Sequence, residues 1–213
     1  MEFKRARKPE HVAQRRRTIL ETACAMLRER SVADISLREL SDRVGLAKSN
    51  VLRYFDSREA IFLEVLDEEW GAWLDEVEGA LAPASDPVEV ATTIATSLHR
   101  RRLMCELICG MAGVLERNIS VDFARVFKRR ATSHTDRLAD LVRARVPVLD
   151  EPAARHFAKA VLVMTAGLWP HANPADAMAQ VMREMGAPPP DEMFRVGLTE
   201  GLVTHLAGLV ARA

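Results

Sequence analysis

The feature that most constrains this chain is the period of its apolar residues. Val12, Ile19, Leu20, Ala23, Met26 and Leu27 recur at spacings of three, four and seven, so they line one face of a helix over about 11–30. Comparable stretches follow at about 88–99, 101–118, 120–146, 152–169 and 191–211, with a shorter one at 174–185. Pro147, Pro152, Pro170, Pro174 and the run Pro188-Pro189-Pro190 punctuate them, because proline lacks the amide hydrogen that a helix interior requires. No segment sustains an apolar–polar alternation of period two, and there is no internal repeat or low-complexity run. The fold class read from the sequence is all-α.

The first third of the chain has a finer grain. Ser36 precedes Leu37, with Glu39 in the third helical position, a capping-box pattern that opens a short second helix whose apolar face is continued by Leu40 and Val44. Gly45 suits the left-handed residue that ends such a helix, since it has no Cβ to clash there. A third helix is expected from Ala47 to Phe55, anchored by Val51 and Phe55. Asp56-Ser57 caps a long fourth helix over about 58–81, apolar on one side and strongly acidic on the other (Glu64, Asp67, Glu68, Glu69, Asp75, Glu76, Glu78), which the segment PASDP at 83–87 terminates. A capped short helix, a glycine turn and a second short helix, braced by a longer one, form a helix-turn-helix.

Charge points the same way. Lys+Arg and Asp+Glu balance at 30 each, yet residues 1–60 carry 14 basic against 9 acidic side chains and residues 61–213 carry 16 against 21. A basic front end on an acidic body favours a polyanionic partner for the front end, although solvated basic tails also occur on unrelated proteins. Three cysteines, Cys24, Cys105 and Cys109, make no disulfide framework and fit a reducing compartment. No apolar run approaches the length of a membrane span, so a soluble cytoplasmic protein without membrane contact is expected.

The run ISLRELSDRVGLAKSNVLRYFDSREAIFLEVL at 35–66 resembles the DNA-binding domain of TetR-family transcriptional regulators. Ile35, Ser36, Gly45, Lys48, Tyr54, Phe55, Ser57, Glu59 and Ala60 stand where that pattern expects them. The resemblance implies an N-terminal three-helix helix-turn-helix domain with a basic arm over 1–57, and a C-terminal helical ligand-sensing and dimerisation domain over 58–213. Ala47, Asn50, Leu52 and Arg58 depart from the family's frequent choices, and Asn50 suits bidentate pairing with adenine.

Within that reading, Lys48 and Asn50 are candidates for base edges, with Ser49 permitting close approach. Ser36, Arg53, Tyr54 and Arg58 are candidates for phosphate oxygens, and Arg15, Arg16 and Arg17 for backbone or minor groove. Ser36 also reads as a plain cap and Tyr54 as a core aromatic. Lys4, Arg5, Arg7 and Lys8 would add salt-sensitive affinity. One short recognition helix reads few base pairs, so double-stranded DNA would be bound by a homodimer on a near-palindromic site. The resemblance implies pairing through late helices, and the stripes Phe157, Val161, Met164, Leu168 and Phe194, Leu198, Leu202, Leu206, Leu209 supply faces that serve equally well as internal core.

For an unknown small-molecule effector, the apolar candidates are Met104, Leu107, Ile108, Met111, Phe123, Phe127 and Trp169, each of which also reads as ordinary core. Arg100-Arg101-Arg102 reads as a solvated face or as a site for an anionic effector. Cys105 and Cys109, at i and i+4, lack a histidine partner that would complete a metal set, so neither metal nor cofactor is expected. No nucleophile elbow, phosphate-binding glycine loop or carboxylate constellation marks an enzyme. The rival reading is a helical adaptor that turns its first 60 residues to a protein partner.

Overall fold

A computed structural model describes residues 9–81 and 86–213. The basic residues Lys4 to Lys8 and most of the PASDP segment lie outside the described residues. Ten α-helices account for the described chain, with no strand among them: α1 (Pro9–Glu29), α2 (Leu37–Val44), α3 (Lys48–Val51), α4 (Arg58–Ala80), α5 (Pro87–His99), α6 (Arg102–Gly113), α7 (Val121–Arg145), α8 (Glu151–Ala172), α9 (Asp176–Glu184) and α10 (Pro190–Val210). No helix among the described residues is long and apolar enough to cross a membrane.

Most helix starts follow from local chemistry. Ser57, Asp86, Ser120 and Asp150 each accept a hydrogen bond from the third backbone N–H of the helix that follows, at 2.8–3.2 Å. Three elements differ from the sequence expectation. The third helix is shorter than 47–55: after Val51 the ladder tightens, with Arg53 N–H donating to Asn50 and Tyr54 N–H to Val51, and Phe55 then drops into the core. The stretch 101–118 breaks at Val114, outside helical dihedrals, and resumes as a 3₁₀ turn over Leu115–Arg117. Pro170 does not end its helix; α8 runs on to Ala172, because only the final turn loses a donor and Asn173 N–H closes it on the Trp169 carbonyl at 3.0 Å.

One continuous apolar cluster runs from Ile19 on α1 to Leu206 on α10. Its centre is α4, where Trp70 and Trp73 are buried and the Trp73 indole N–H donates to the buried Ser97 hydroxyl of α5 at 2.8 Å. Ser97 in turn donates to the Ile94 carbonyl at 2.8 Å, so the hydroxyl is used in both directions. Helix α10 packs against both α5 and α8, α7 lies against α8 and α4, and α1 lies against α4. The two late stripes are largely consumed inside the chain: Phe157, Val161, Phe194, Leu198, Leu202 and Leu206 are buried, while Met164, Leu168 and Leu209 are half-buried.

The acidic side of α4 is not a free solvated face. Glu64 pairs with Arg16, Glu69 with Arg28 and Arg101, Asp67 with Arg130 and His134, Glu76 with Arg100 and Arg101, and Asp75 and Glu78 with Arg137. The acidic stripe is therefore the seam along which α1, the α5–α6 turn and α7 are registered on α4.

Candidate nucleic-acid interface

Ser36 sits at the N-cap of α2, where its hydroxyl accepts from Glu39 N–H at 3.1 Å. The reciprocal half of the capping box is missing, because the Glu39 carboxylate turns to Arg30 instead. At the other end Gly45 adopts φ 72°, ψ 32°, and Leu46 N–H reaches back to Ser41 at 3.0 Å, closing the helix with a left-handed glycine. Ala47 caps α3 without any side-chain hydrogen bond, so the first N–H groups of α3 are left open toward its exposed N-terminus.

The single turn of α3 and the four residues after it divide cleanly. Val51 and Phe55 are buried, Lys48, Ser49, Leu52 and Arg53 are exposed, and Asn50 and Tyr54 are half-buried. Five of the residues assigned to DNA from sequence are thus gathered on one short segment whose inner side is held by the core. Ser36 is exposed at the start of α2, and Arg15 and Arg17 are exposed on α1.

Two of the ten are committed inward. The Arg16 guanidinium lies 4.2 Å from the Phe55 ring, donates to the Tyr54 carbonyl and meets the Glu64 carboxylate at 2.6 Å. Arg58 donates to the Ile35 carbonyl at 2.8 Å and to the Glu59 carboxylate at 2.8 Å, with its guanidinium over Phe62. These arginines therefore hold the ends of α3 and α2 on α4. A further tie escapes sequence reading: the Ser120 hydroxyl, at the cap of α7, donates to Asp56 just after α3. No local pattern links residues 64 positions apart.

The residues expected to line an apolar effector pocket do not converge. Met104, Leu107 and Ile108 are packed in the core. Met111 is half-buried against the same core. Phe123 and Phe127 stack on each other at 6.5 Å and line a groove of about 420 Å³ beside Tyr54 and Phe55. Trp169 lines a different and larger cleft of about 760 Å³, bounded by the end of α1, α4, the α5–α6 turn and α8.

That cleft holds the arginine triplet, which is not a simple solvated face. Arg101 meets Glu76 at 2.9 Å and Glu69 at 3.2 Å, Arg100 meets Glu76 at 2.9 Å, and Arg102 lies over the Trp169 ring at 5.3 Å. Burial by itself would raise the Glu76 carboxyl, but hydrogen bonds and charge from Arg101 and Arg100 hold it below its ordinary value. Cys105, by contrast, is buried and donates to the Leu98 carbonyl at 3.3 Å, and burial pushes its thiol up to about 12. Among the described residues no group of three or more His, Cys, Asp and Glu side chains is placed to hold a metal ion.

Comparison with known proteins places this arrangement. The family model for bacterial regulatory proteins of the tetR family matches residues 19–65, and that for the tetracyclin repressor-like C-terminal domain matches residues 67–213. No curated protein matches the chain in sequence. Among solved structures, FadR of Thermus thermophilus, a TetR-family transcriptional repressor in complex with lauroyl-CoA, is 18% identical with a TM-score of 0.59 over 91% of this chain and 94% of that one. FadR of Bacillus subtilis in complex with stearoyl-CoA is 13% identical with a TM-score of 0.55 over 89% and 98%. A TetR-family regulator from Mesorhizobium loti is 15% identical with a TM-score of 0.55 over 92% and 97%. At these identities the structures share the fold. With the C-terminal model spanning more than half of the sequence and the N-terminal model covering the helix-turn-helix, the chain belongs to the TetR family of DNA-binding transcriptional regulators.

Proposed function

We propose that this protein is a repressor that binds a near-palindromic operator as a homodimer and is released or retuned by a small-molecule effector. The observation that carries the reading is the outer edge of α3, where Lys48, Ser49, Asn50 and Arg53 stand together at the surface over the buried Val51 and Phe55. A rigid short helix with donors and acceptors on one side suits the major groove. Lys48 and Asn50 meet base edges, with Ser49 allowing close approach; Ser36, Arg53 and Tyr54 meet phosphates, as do Arg15 and Arg17.

One such helix reads too few base pairs for operator selectivity, which is why a two-fold pair is part of the reading. The outer face of α8 supports it, with Val163 left 70% exposed on a helix whose inner side is buried. The effector is supported by the two neighbours of like fold that hold acyl-CoA molecules. Its action follows from linkage: α4 carries the reader through Arg16 and Arg58, and α7 through the Asp56–Ser120 contact, so a ligand that favours one pose of the body shifts the spacing of the two reading helices. The site of action is the cytoplasm.

Selection of bound fragments from random DNA tests the proposal. A palindromic consensus is expected, and absence of enrichment overturns both the operator and the dimer.

A further inference from the structure

In the 760 Å³ cleft Glu69 and Glu76 are recessed while Arg28, Arg100 and Arg102 stand at the rim, with Glu29 and Glu106 also on its wall. Glu69 is 19% exposed and Glu76 32%, while Arg28, Arg100 and Arg102 are 68%, 62% and 64% exposed. The two acids are shared among three arginines, since Glu69 serves Arg28 and Arg101 and Glu76 serves Arg100 and Arg101. Arg28 is held only loosely, at 3.7 Å, and Arg102 donates to the Asn173 side-chain oxygen at 3.1 Å and stands 3.8 Å from Asp191, which itself is taken by His99 at 2.8 Å. Each guanidinium offers five donors in a fixed fork, so this rim has N–H groups to spare.

A second recess opens on the far side of Arg102. It measures about 210 Å³, shares Arg102, Trp169 and Asn173 with the cleft, and is otherwise walled by Pro189, Pro190 and Phe194 together with His99 and Asp191. Trp169 and Phe194 meet edge to face at 5.0 Å, which gives this recess a rigid apolar back. Arg102 is thus the gatepost between a donor-rich rim and an apolar slot.

We propose that the joined cleft and recess bind a small amphiphilic oxyanion: a carboxylate or phosphate group on the forks of Arg28, Arg100 and Arg102, and a short apolar body in the slot beside Trp169 and Phe194. The combined shape lies in the usual size range of small-molecule sites, and the bidentate match of guanidinium to a planar or tetrahedral oxyanion sets the preference for charge. Arg28 belongs to α1, whereas Arg100 and Arg102 frame the start of α6. An anion between them draws the end of α1 toward the body and so biases the pose of the helix-turn-helix. This inference rests on the effector-responsive reading, of which it names the site and the ligand class.

The test uses the full chain without DNA, so it is independent of whether the operator reading holds. The indole N–H resonance of Trp169, assigned with Trp169→Phe, is followed while hexanoate, hexyl phosphate, hexanamide and acetate are titrated. Saturable shifts with one or both six-carbon anions are expected, and the tighter of the two identifies the head group. Hexanamide and acetate should bind about tenfold more weakly or worse, as should hexanoate and hexyl phosphate to Arg102→Gln, the loss of one charge-assisted bond. Thermal melting of Arg102→Gln, at an exposed position, verifies that it is folded. No movement of the Trp169 resonance with either six-carbon anion overturns the proposal. So does equal binding of hexanamide, or unchanged binding by Arg102→Gln.

Discussion

Arg16 on α1 and Glu64 on α4 meet at 2.6 Å, and the same guanidinium bonds the Tyr54 carbonyl just after α3. One side chain thereby joins three elements, and its neighbours Arg15 and Arg17 are exposed where it is not. Arg16→Ala is expected to lower the free energy of unfolding in urea by about 1–3 kcal/mol, the usual effect of removing one partner of a half-buried, hydrogen-bonded charge pair. It should leave the salt dependence of DNA affinity unchanged. Arg15→Ala should instead reduce the slope of log affinity against log salt by about one. Equal losses of slope in the two variants would show that Arg16 reaches phosphate.

Lys48→Ala and Asn50→Ala separate reading from folding. Each is expected to weaken binding to the selected operator by about 1–3 kcal/mol while changing affinity for random DNA much less. Fluorescence anisotropy on the two DNAs measures the ratio, and melting curves should coincide with the parent because Lys48 is exposed and Asn50 only half-buried.

The Trp73–Ser97 bond is a buried polar contact within the α4–α5 seam. Ser97→Ala leaves the indole N–H without an acceptor, so a loss of about 1–3 kcal/mol in guanidinium unfolding is expected. A loss near zero would mean that the indole finds another partner.

Asp67 supplies a pH dependence. Burial raises its carboxyl, but the bonds and charges of His134 and Arg130, both at 3.0 Å, outweigh burial and hold it below its ordinary 3.8. A carboxyl lowered on folding adds stability above its unfolded-state value and loses it as pH falls through the folded-state value. Acid unfolding of the parent should therefore include a component below about pH 4 that Asp67→Asn lacks. The gap between the urea midpoints of the two proteins, measured from pH 6 down to pH 3, should narrow toward the acid end.

Much of the fold was legible because it rests on local chemistry. Helical period, caps at Ser36 and Ser57 and the left-handed Gly45 are properties of a few adjacent residues, and each stands where its neighbours dictate. The same holds for the division of α3 into a buried side at Val51 and Phe55 and an exposed edge at Lys48 and Ser49. The partners of the charges were not legible. Arg16, Arg58 and the triplet Arg100–Arg102 look alike in sequence, as basic residues near a helix start. What sends Arg16 to Glu64, Arg58 to Ile35 and Arg101 to Glu69 is the packing of α1, the start of α2 and the α5–α6 turn along α4.

The residues expected to line an effector pocket divide in the same way. Met104, Leu107, Phe123 and Trp169 share an apolar character that sequence can register, but whether an apolar side chain faces core or cavity depends on which other helix arrives opposite it. Sequence by itself determined an all-helical chain with a helix-turn-helix near its start, since backbone hydrogen bonding and side-chain period act over a turn or two. Only tertiary structure decided which arginines are struts between helices and which stand exposed at the surface, because a guanidinium takes its partner from whatever carboxylate or carbonyl the fold brings within about 3 Å.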